Sequence, residues 1–175
     1  MKELMLWRHA KASWPTTERD DFLRPLSKRG KRAAAAVARW LATRHLVPDI
    51  IYCSSASRTR ETAEYLIAEM PSLPSIVFDR ALYLAEGSEL LAHLQKAPEA
   101  TQRVLLIGHN EGIADLAQVL TQLGPPDQLG QLHDKYPTGA LVWLRLTIET
   151  WKELGQGHGE LIHFVRPRDI MEDPN

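Results

Sequence analysis

Three short stretches place arginine or histidine where phosphorus chemistry could occur. "LWRHAKASW" carries Arg8 and His9, "SSASRTRETA" carries Arg58, and "LIGHNEGI" carries His109. A neutral imidazole is a competent nucleophile toward phosphorus once the phosphoryl charge is neutralised, and guanidinium groups neutralise it with paired N–H donors. Phosphoryl transfer depends mainly on positioning and electrostatic stabilisation, so two arginines and a histidine donor can support it without a metal. No paired aspartates and no His-x-x-x-His spacing mark a metal site, and no motif asks for a cofactor.

Such chemistry requires the three stretches to meet. Residues 4–7, "LMLW", form a continuous apolar run, which suits a strand covered on both faces in a parallel sheet, and Arg8-His9 stands at its carboxyl end. "PDIIYCSS" reads as a second strand that feeds directly into the helix "ASRTRETAEYLIAEM", with Arg58 in its first turn. "RVLLIGHN" is a third strand, apolar from Val104 to Ile107, with His109 after it. Parallel strands deliver these ends to one edge of the sheet, where ligands bind and helix amino termini favour anions.

The remaining elements supply the frame. Ser27 is placed to cap a helix whose Ala33, Val37, Trp40 and Leu41 share one face. "SIVFDRALYL" holds one irregular extended segment, and Ser88 is expected to cap a helix carrying Leu90, Leu91 and Leu94. Asn110 is expected to cap the helix carrying Ile113, Leu116, Ala117 and Leu120. A glycine- and proline-rich loop over 124–139 leads to the strands "ALVWLRLTI" and "ELIHFV" and then a polar tail. This alternation predicts an α/β three-layer sandwich with a mostly parallel central sheet and helices on both faces, as a single domain over 1–175.

The bulk numbers narrow the partners. With 21 Lys+Arg against 22 Asp+Glu the net charge is -1, which makes no electrostatic case for nucleic acid or an anionic membrane. Any anion site must therefore be local. The basic run Lys28–Arg32 reads as a solvated face, or alternatively as a docking surface for an acidic partner. The single cysteine, Cys53, excludes an intrachain disulfide and fits a reducing compartment. With no signal-peptide pattern and no apolar stretch of transmembrane length, the expectation is a soluble cytoplasmic protein.

Taken in order, the three stretches resemble the signatures of the histidine phosphatase superfamily, in its phosphoglycerate mutase-like branch. "LRPLSKRG" most resembles the SixA-type phosphohistidine phosphatases, and "YPTGAL" and "VRPRD" are similar to later family segments. The resemblance implies a phosphoglycerate mutase-like fold and a covalent phosphohistidine intermediate. It makes His9 the nucleophile, Arg8 and Arg58 the phosphate-binding arginines, and His109 the second histidine on the phosphoryl oxygens. Arg24, in "RPLS", is similar to an additional phosphate contact. Ser54 and Thr62 also match motif positions, where helix capping and local packing are ordinary roles.

Two departures carry information. Ala10 follows His9 where the family usually has glycine, so the backbone there forgoes easy access to positive φ. Tyr83 stands where mutases and phosphomonoesterases usually place the glutamate that protonates a departing alkoxide; Glu86 is close enough to be a candidate general acid, or simply an acidic residue in a helix's first turn. An alkoxide leaves poorly without a proton, whereas an imidazole is already protonated below about pH 6.5. The expected substrate is therefore phosphohistidine on a partner protein. A small phosphate ester, handled by a phosphomonoesterase or mutase, is the alternative, and a non-catalytic phosphate-binding module is a third reading.

Only about 50 residues separate Arg58 from His109, which leaves little chain for a lid over the site. The 124–139 loop is expected to influence partner choice. A cysteine phosphatase is a poor match, since four residues separate Cys53 from Arg58 and six separate it from Arg60, where that loop needs five. His45, His93, His133, His158 and His163 show no ligand spacing, and Trp14 either borders the pocket mouth or packs elsewhere. Neighbouring arginines should keep His9 neutral, with an ionisation near neutrality expected in the rate profile. Oligomeric state is not indicated.

Overall fold

Leu4 and Leu6 belong to one apolar cluster and Met5 and Trp7 to another, all fully buried. That division explains the unbroken apolar run: β1 (Lys2–Arg8) has a core on each face. In the computed structural model, which describes residues 1–15, 17 and 19–171, the elements after β1 are α1 (Lys28–Thr43), β2 (Ile50–Ser54), α2 (Ser57–Glu69) and β3 (Ser75–Asp79). Then come α3 (Gly87–Leu94), β4 (Arg103–Gly108), α4 (Gly112–Leu120), β5 (Thr121–Leu123) and α5 (Pro126–Asp134), followed by β6 (Leu141–Leu146), β7 (Gly159–Val165) and α6 (Pro167–Ile170). The expected polar tail, from 172, lies outside the described residues, as do two positions of the connection before α1.

The seven strands form one sheet in the order β3-β2-β4-β1-β6-β7-β5. β1, β2, β3 and β4 run parallel, while β6 pairs antiparallel with both β1 and β7. The sheet is thus mixed, with its parallel part where the sequence pattern places it. Side chains of α3, α4 and α5 fill one face, through Leu90, Leu94, Ile113, Leu116, Leu120 and Leu132. Helices α1 and α2 cover the other through Val37, Leu41, Ala63 and Leu66. Each fully buried leucine of this kind stabilises the fold by about 1.5–3 kcal/mol relative to exposure. Among the described residues no helix is long and apolar enough to cross a membrane.

Ser27 caps α1 as expected, its hydroxyl accepting from Gly30 N–H at 3.0 Å. Three expectations about local structure are corrected. Glu86, not Ser88, occupies the N-cap of α3, with its N–H donating to Glu89 Oε1 at 3.3 Å. Glu111, not Asn110, precedes α4, and Asn110 is left to line a cavity. The 124–139 segment contains helix α5: Pro126 sits at its start, where the missing N–H costs nothing, and buried Leu132 anchors it.

Candidate active site

β1, β4 and β2 are adjacent and parallel, with Trp7 and Cys53 both in register with Ile107. Their carboxyl ends consequently lie side by side, and the residues that follow surround a cavity of about 340 Å³. Arg8, His9, Arg58 and His109 all line it, together with Arg24 and Lys11. The structure therefore brings together the four residues singled out first, and adds Arg24 from the long connection. The end of β1 is braced by 136–139: Arg8 Nη1 donates to Tyr136 O at 2.7 Å, Tyr136 O–H to Leu6 O at 2.7 Å, and Trp7 Nε1 to Gly139 O at 2.9 Å. Gly139 has φ +79, a conformation that suits glycine, and its N–H donates to His9 O at 2.9 Å.

The ring of His9 is held in one tautomer. Nδ1 lies 2.7 Å from Ala10 O, and a carbonyl only accepts, so Nδ1 carries the proton and Nε2 the lone pair. Nε2 in turn receives a long contact, 3.4 Å, from Arg58 Nε–H. Ala10 needs no positive φ: its N–H donates to Thr62 Oγ1 at 3.2 Å, and Thr62 O–H donates to Arg58 O at 2.7 Å. Thr62 thus ties the segment after His9 to the helix that carries Arg58.

His109 is fixed from behind by Ser54, whose Oγ is 2.8 Å from Nε2. The Ser54 hydroxyl has no other acceptor among the described residues, so it donates to Nε2 and the ring proton resides on Nδ1. That buried Nδ1 has no partner among the described residues, which leaves its N–H free for an incoming oxygen. Arg8 Nε is in the same condition. The His9 and His109 rings are 5.3 Å apart at their centroids.

Burial, reinforced by Arg58, Arg8 and Arg24, pushes His9 down to about 3, although the Ala10 carbonyl favours the cation. Burial, with His9 and Arg58, likewise pushes His109 to about 3. Both rings are therefore neutral at pH 7, and the ionisation near neutrality expected from the sequence is displaced far to the acid side, because desolvation adds to the arginine charges. A depressed histidine pKa keeps the lone pair free as pH falls. The acid limb of kcat/KM, which reports the free enzyme, should accordingly show no His9 ionisation between pH 8 and about pH 5. Substrates of different phosphate pKa check this: any limb near neutrality should move with the substrate, and one that stays put for all of them would contradict the assignment.

Asp21 is the member of the site that sequence reasoning missed. Its Oδ2 accepts from Arg58 Nη2 at 3.0 Å, its backbone oxygen from Arg58 Nη1 at 2.7 Å, and its Oδ1 from Arg24 Nη1 at 3.0 Å. Tyr83 O–H donates to the same carboxylate. Burial opposes the charge, but the bonds from Tyr83, Arg24 and Arg58 outweigh it and hold the carboxyl well below the usual range. Asp21 thus sets the plane of the Arg58 guanidinium and joins it to Arg24. Arg24 also donates Nε–H to Ser13 O at 3.1 Å and stacks on Trp14, its guanidinium carbon 3.3 Å from the ring centroid. Trp14 itself is 74% exposed.

Tyr83 packs edge-on against His109 at 5.3 Å, so it does stand in the site, with its hydroxyl committed to Asp21. Glu86 is exposed and lines a separate, neighbouring groove rather than the cavity around His9. Cys53 is fully buried, and burial pushes its thiol up to about 12, so it has no thiolate to offer.

A family model described as "Histidine phosphatase superfamily (branch 1)" matches residues 4–83, which include Arg8, His9 and Arg58. An uncharacterized protein of Mycobacterium tuberculosis is 28% identical over 163 residues, covering 92% of this chain and 99% of its own length. Among solved structures, a candidate phosphohistidine phosphatase SixA from Nakamurella multipartitia superposes with a TM-score of 0.80 at 28% identity, over 95% of this chain and 96% of that one. Another, from Agrobacterium tumefaciens, gives a TM-score of 0.77 at 28% identity, over 95% of this chain and 98% of the other.

Proposed function

Given that the chain belongs to the histidine phosphatase superfamily, with a phosphoglycerate mutase-like fold and SixA-like relatives, we propose that it is a phosphatase that removes phosphate from phosphohistidine on a partner protein. In this reading it acts in the cytoplasm, without a metal. The observation that carries it is the Nε2 lone pair of His9, fixed by Ala10 and flanked by Arg8 and Arg58 in one cavity.

The reaction has two displacements. With the substrate's ring protonated at the nitrogen that does not carry phosphorus, His9 Nε2 forms a bond to phosphorus as the P–N bond breaks, and the departing ring takes the bonding pair, keeps that proton and leaves as neutral imidazole. The His9 ring gains positive charge, which the Ala10 carbonyl stabilises through Nδ1–H. Arg8, Arg58 and the Nδ1–H of His109 hold the phosphoryl oxygens, with Arg24 as a further cation. Water then attacks phosphorus, the His9–P bond breaks with its pair returning to Nε2, and the water's protons leave on the phosphate, released as dihydrogen phosphate from the same cradle.

The leaving group is argued from the lining. Among the described residues around the cavity there is no carboxyl group, and Tyr83 is bonded to Asp21. An alkoxide would depart without an obvious acid, whereas a phosphohistidine ring protonated at its second nitrogen departs as neutral imidazole. The test measures kcat/KM on a phosphohistidine-bearing protein against p-nitrophenyl phosphate and sugar phosphates, with EDTA present. Preference for phosphohistidine is expected. Preference for a sugar phosphate would make the protein a small-molecule phosphomonoesterase instead, and loss of turnover in EDTA would overturn metal independence.

A further inference from the structure

Next to the catalytic cavity lies a second, larger groove of about 690 Å³. We propose that it receives the segment of the partner protein adjoining the phosphohistidine, and that this segment carries lysine or arginine together with an apolar side chain. The proposal rests on the phosphohistidine reading and names the kind of partner that the same site takes.

Continuity with the cavity is the first observation. Leu84 and Asn110 line both spaces, so the groove adjoins the cavity at these two residues, and a chain that holds a phosphoryl group at His9 lies beside it. The amide oxygen of Asn110, at this junction, is buried and has no partner among the described residues. Leu84 adopts φ 52, a left-handed conformation that bulky side chains rarely take, yet its side chain is 53% exposed. Burial does not explain that strain. A leucine held out at the mouth of a reaction cavity is suited to contact with a substrate.

Composition is the second observation. The floor is apolar, with Leu91, Leu116 and Val119, and the rim carries the carboxylates of Glu86, Glu111 and Asp115. No basic residue lines the groove among the described residues. Neither Glu111 nor Asp115 takes part in an ion pair there, and both are exposed. The cationic residues Lys11, Arg29, Arg166 and Arg168 gather instead around a cleft that meets the cavity at Lys11 and Thr138. A phosphoryl group in the cavity and a cation over the acidic rim are therefore accommodated together, whereas a second phosphate on that rim would be repelled.

The walls are rigid enough to be selective. A Cβ on Gly112 would lie 2.0 Å from the Ala85 carbonyl oxygen, so the start of α4 packs backbone to backbone against the segment that carries Leu84. An open groove with a fixed shape, an apolar floor and a one-sign rim is the form that short-segment recognition takes.

The test uses two phosphohistidine peptides, identical except that lysine and leucine flank the phosphohistidine on both sides in one, and glutamate and serine in the other. The full-length protein should show kcat/KM about 10-fold higher on the basic peptide, with the gap shrinking as salt rises. The double variant Glu111→Lys, Asp115→Lys should reverse the preference, and Glu111→Gln, Asp115→Asn should abolish it. Turnover of p-nitrophenyl phosphate, unchanged in both, reports an intact fold and site. Equal efficiency on the two peptides, or a preference that neither variant alters, would sink the groove proposal while leaving the phosphohistidine reading standing. Hydrolysis of p-nitrophenyl phosphate with neither peptide cleaved would remove both.

Discussion

His9→Ala is expected to lower turnover by about 10,000-fold or more, because it deletes the group that forms the bond to phosphorus. The side chain is buried, but among the described residues its polar contacts are with the Ala10 carbonyl and, at longer range, Arg58 Nε–H, neither of them part of a helix or strand ladder, so the variant should keep its far-ultraviolet circular dichroism. Rapid quenching of the native enzyme with labelled phosphohistidine protein should trap acid-labile label, and peptide mapping should place it on residue 9. No other side chain in the cavity has a free lone pair of comparable strength: His109 Nε2 is occupied by Ser54, and the arginines are cations. Label on Cys53 would contradict both the chemistry and the burial that keeps its thiol protonated at neutral pH. Turnover without any trapped label would point to direct attack by water.

The second large effect belongs to Arg58. Arg58→Ala should lower kcat/KM by about 1,000-fold, and Arg58→Lys should recover little of it, since an ammonium cannot hold two oxygens and Asp21 in one plane. Asp21 provides the sharper comparison. Its negative charge sits beside an anion site, so repulsion alone would make its removal favourable to binding. Its three contacts to Arg58 and Arg24 make it a positioning residue, and misplacement of a clamp by about 1 Å costs on the order of 100-fold. We expect positioning to win: Asp21→Ala should lower kcat/KM by about 10- to 100-fold, mostly in kcat, and Asp21→Asn should restore part of the loss. Tighter phosphate inhibition with undiminished kcat in Asp21→Ala would show that repulsion dominates.

Between them these variants separate the chemistry of the nucleophile from the electrostatics of its cradle. The neutral state of His9 is common to both. Burial and nearby arginines keep the ring a free base, and in the proposed mechanism the same arginines bind the group it attacks. In the proposed mechanism attack, capture and release draw on a single arrangement, and the leaving ring brings its own proton.

Arg8, His9, Arg58 and His109 were legible from the amino-acid order because each sits one or a few residues past an apolar strand, and strands of that pattern pair in parallel with their ends aligned. Chain order alone therefore determined the parallel part of the sheet and the edge at which these four residues meet. The cap positions were harder to read: Asn110 and Ser88 are good N-cap residues by type, yet the backbone turned one or two residues away from each. Asp21 was not legible at all. It stands among Asp20, Arg19 and Arg24 in a polar connection, and nothing local says which carboxylate turns inward. Only the tertiary structure decided that, along with the tautomer of His9, the bond from Ser54 to His109 and the acidic groove beside the cavity. Hydrophobic periodicity encodes which face of an element is buried, but a loop's polar side chains take their direction from partners that arrive from distant parts of the chain.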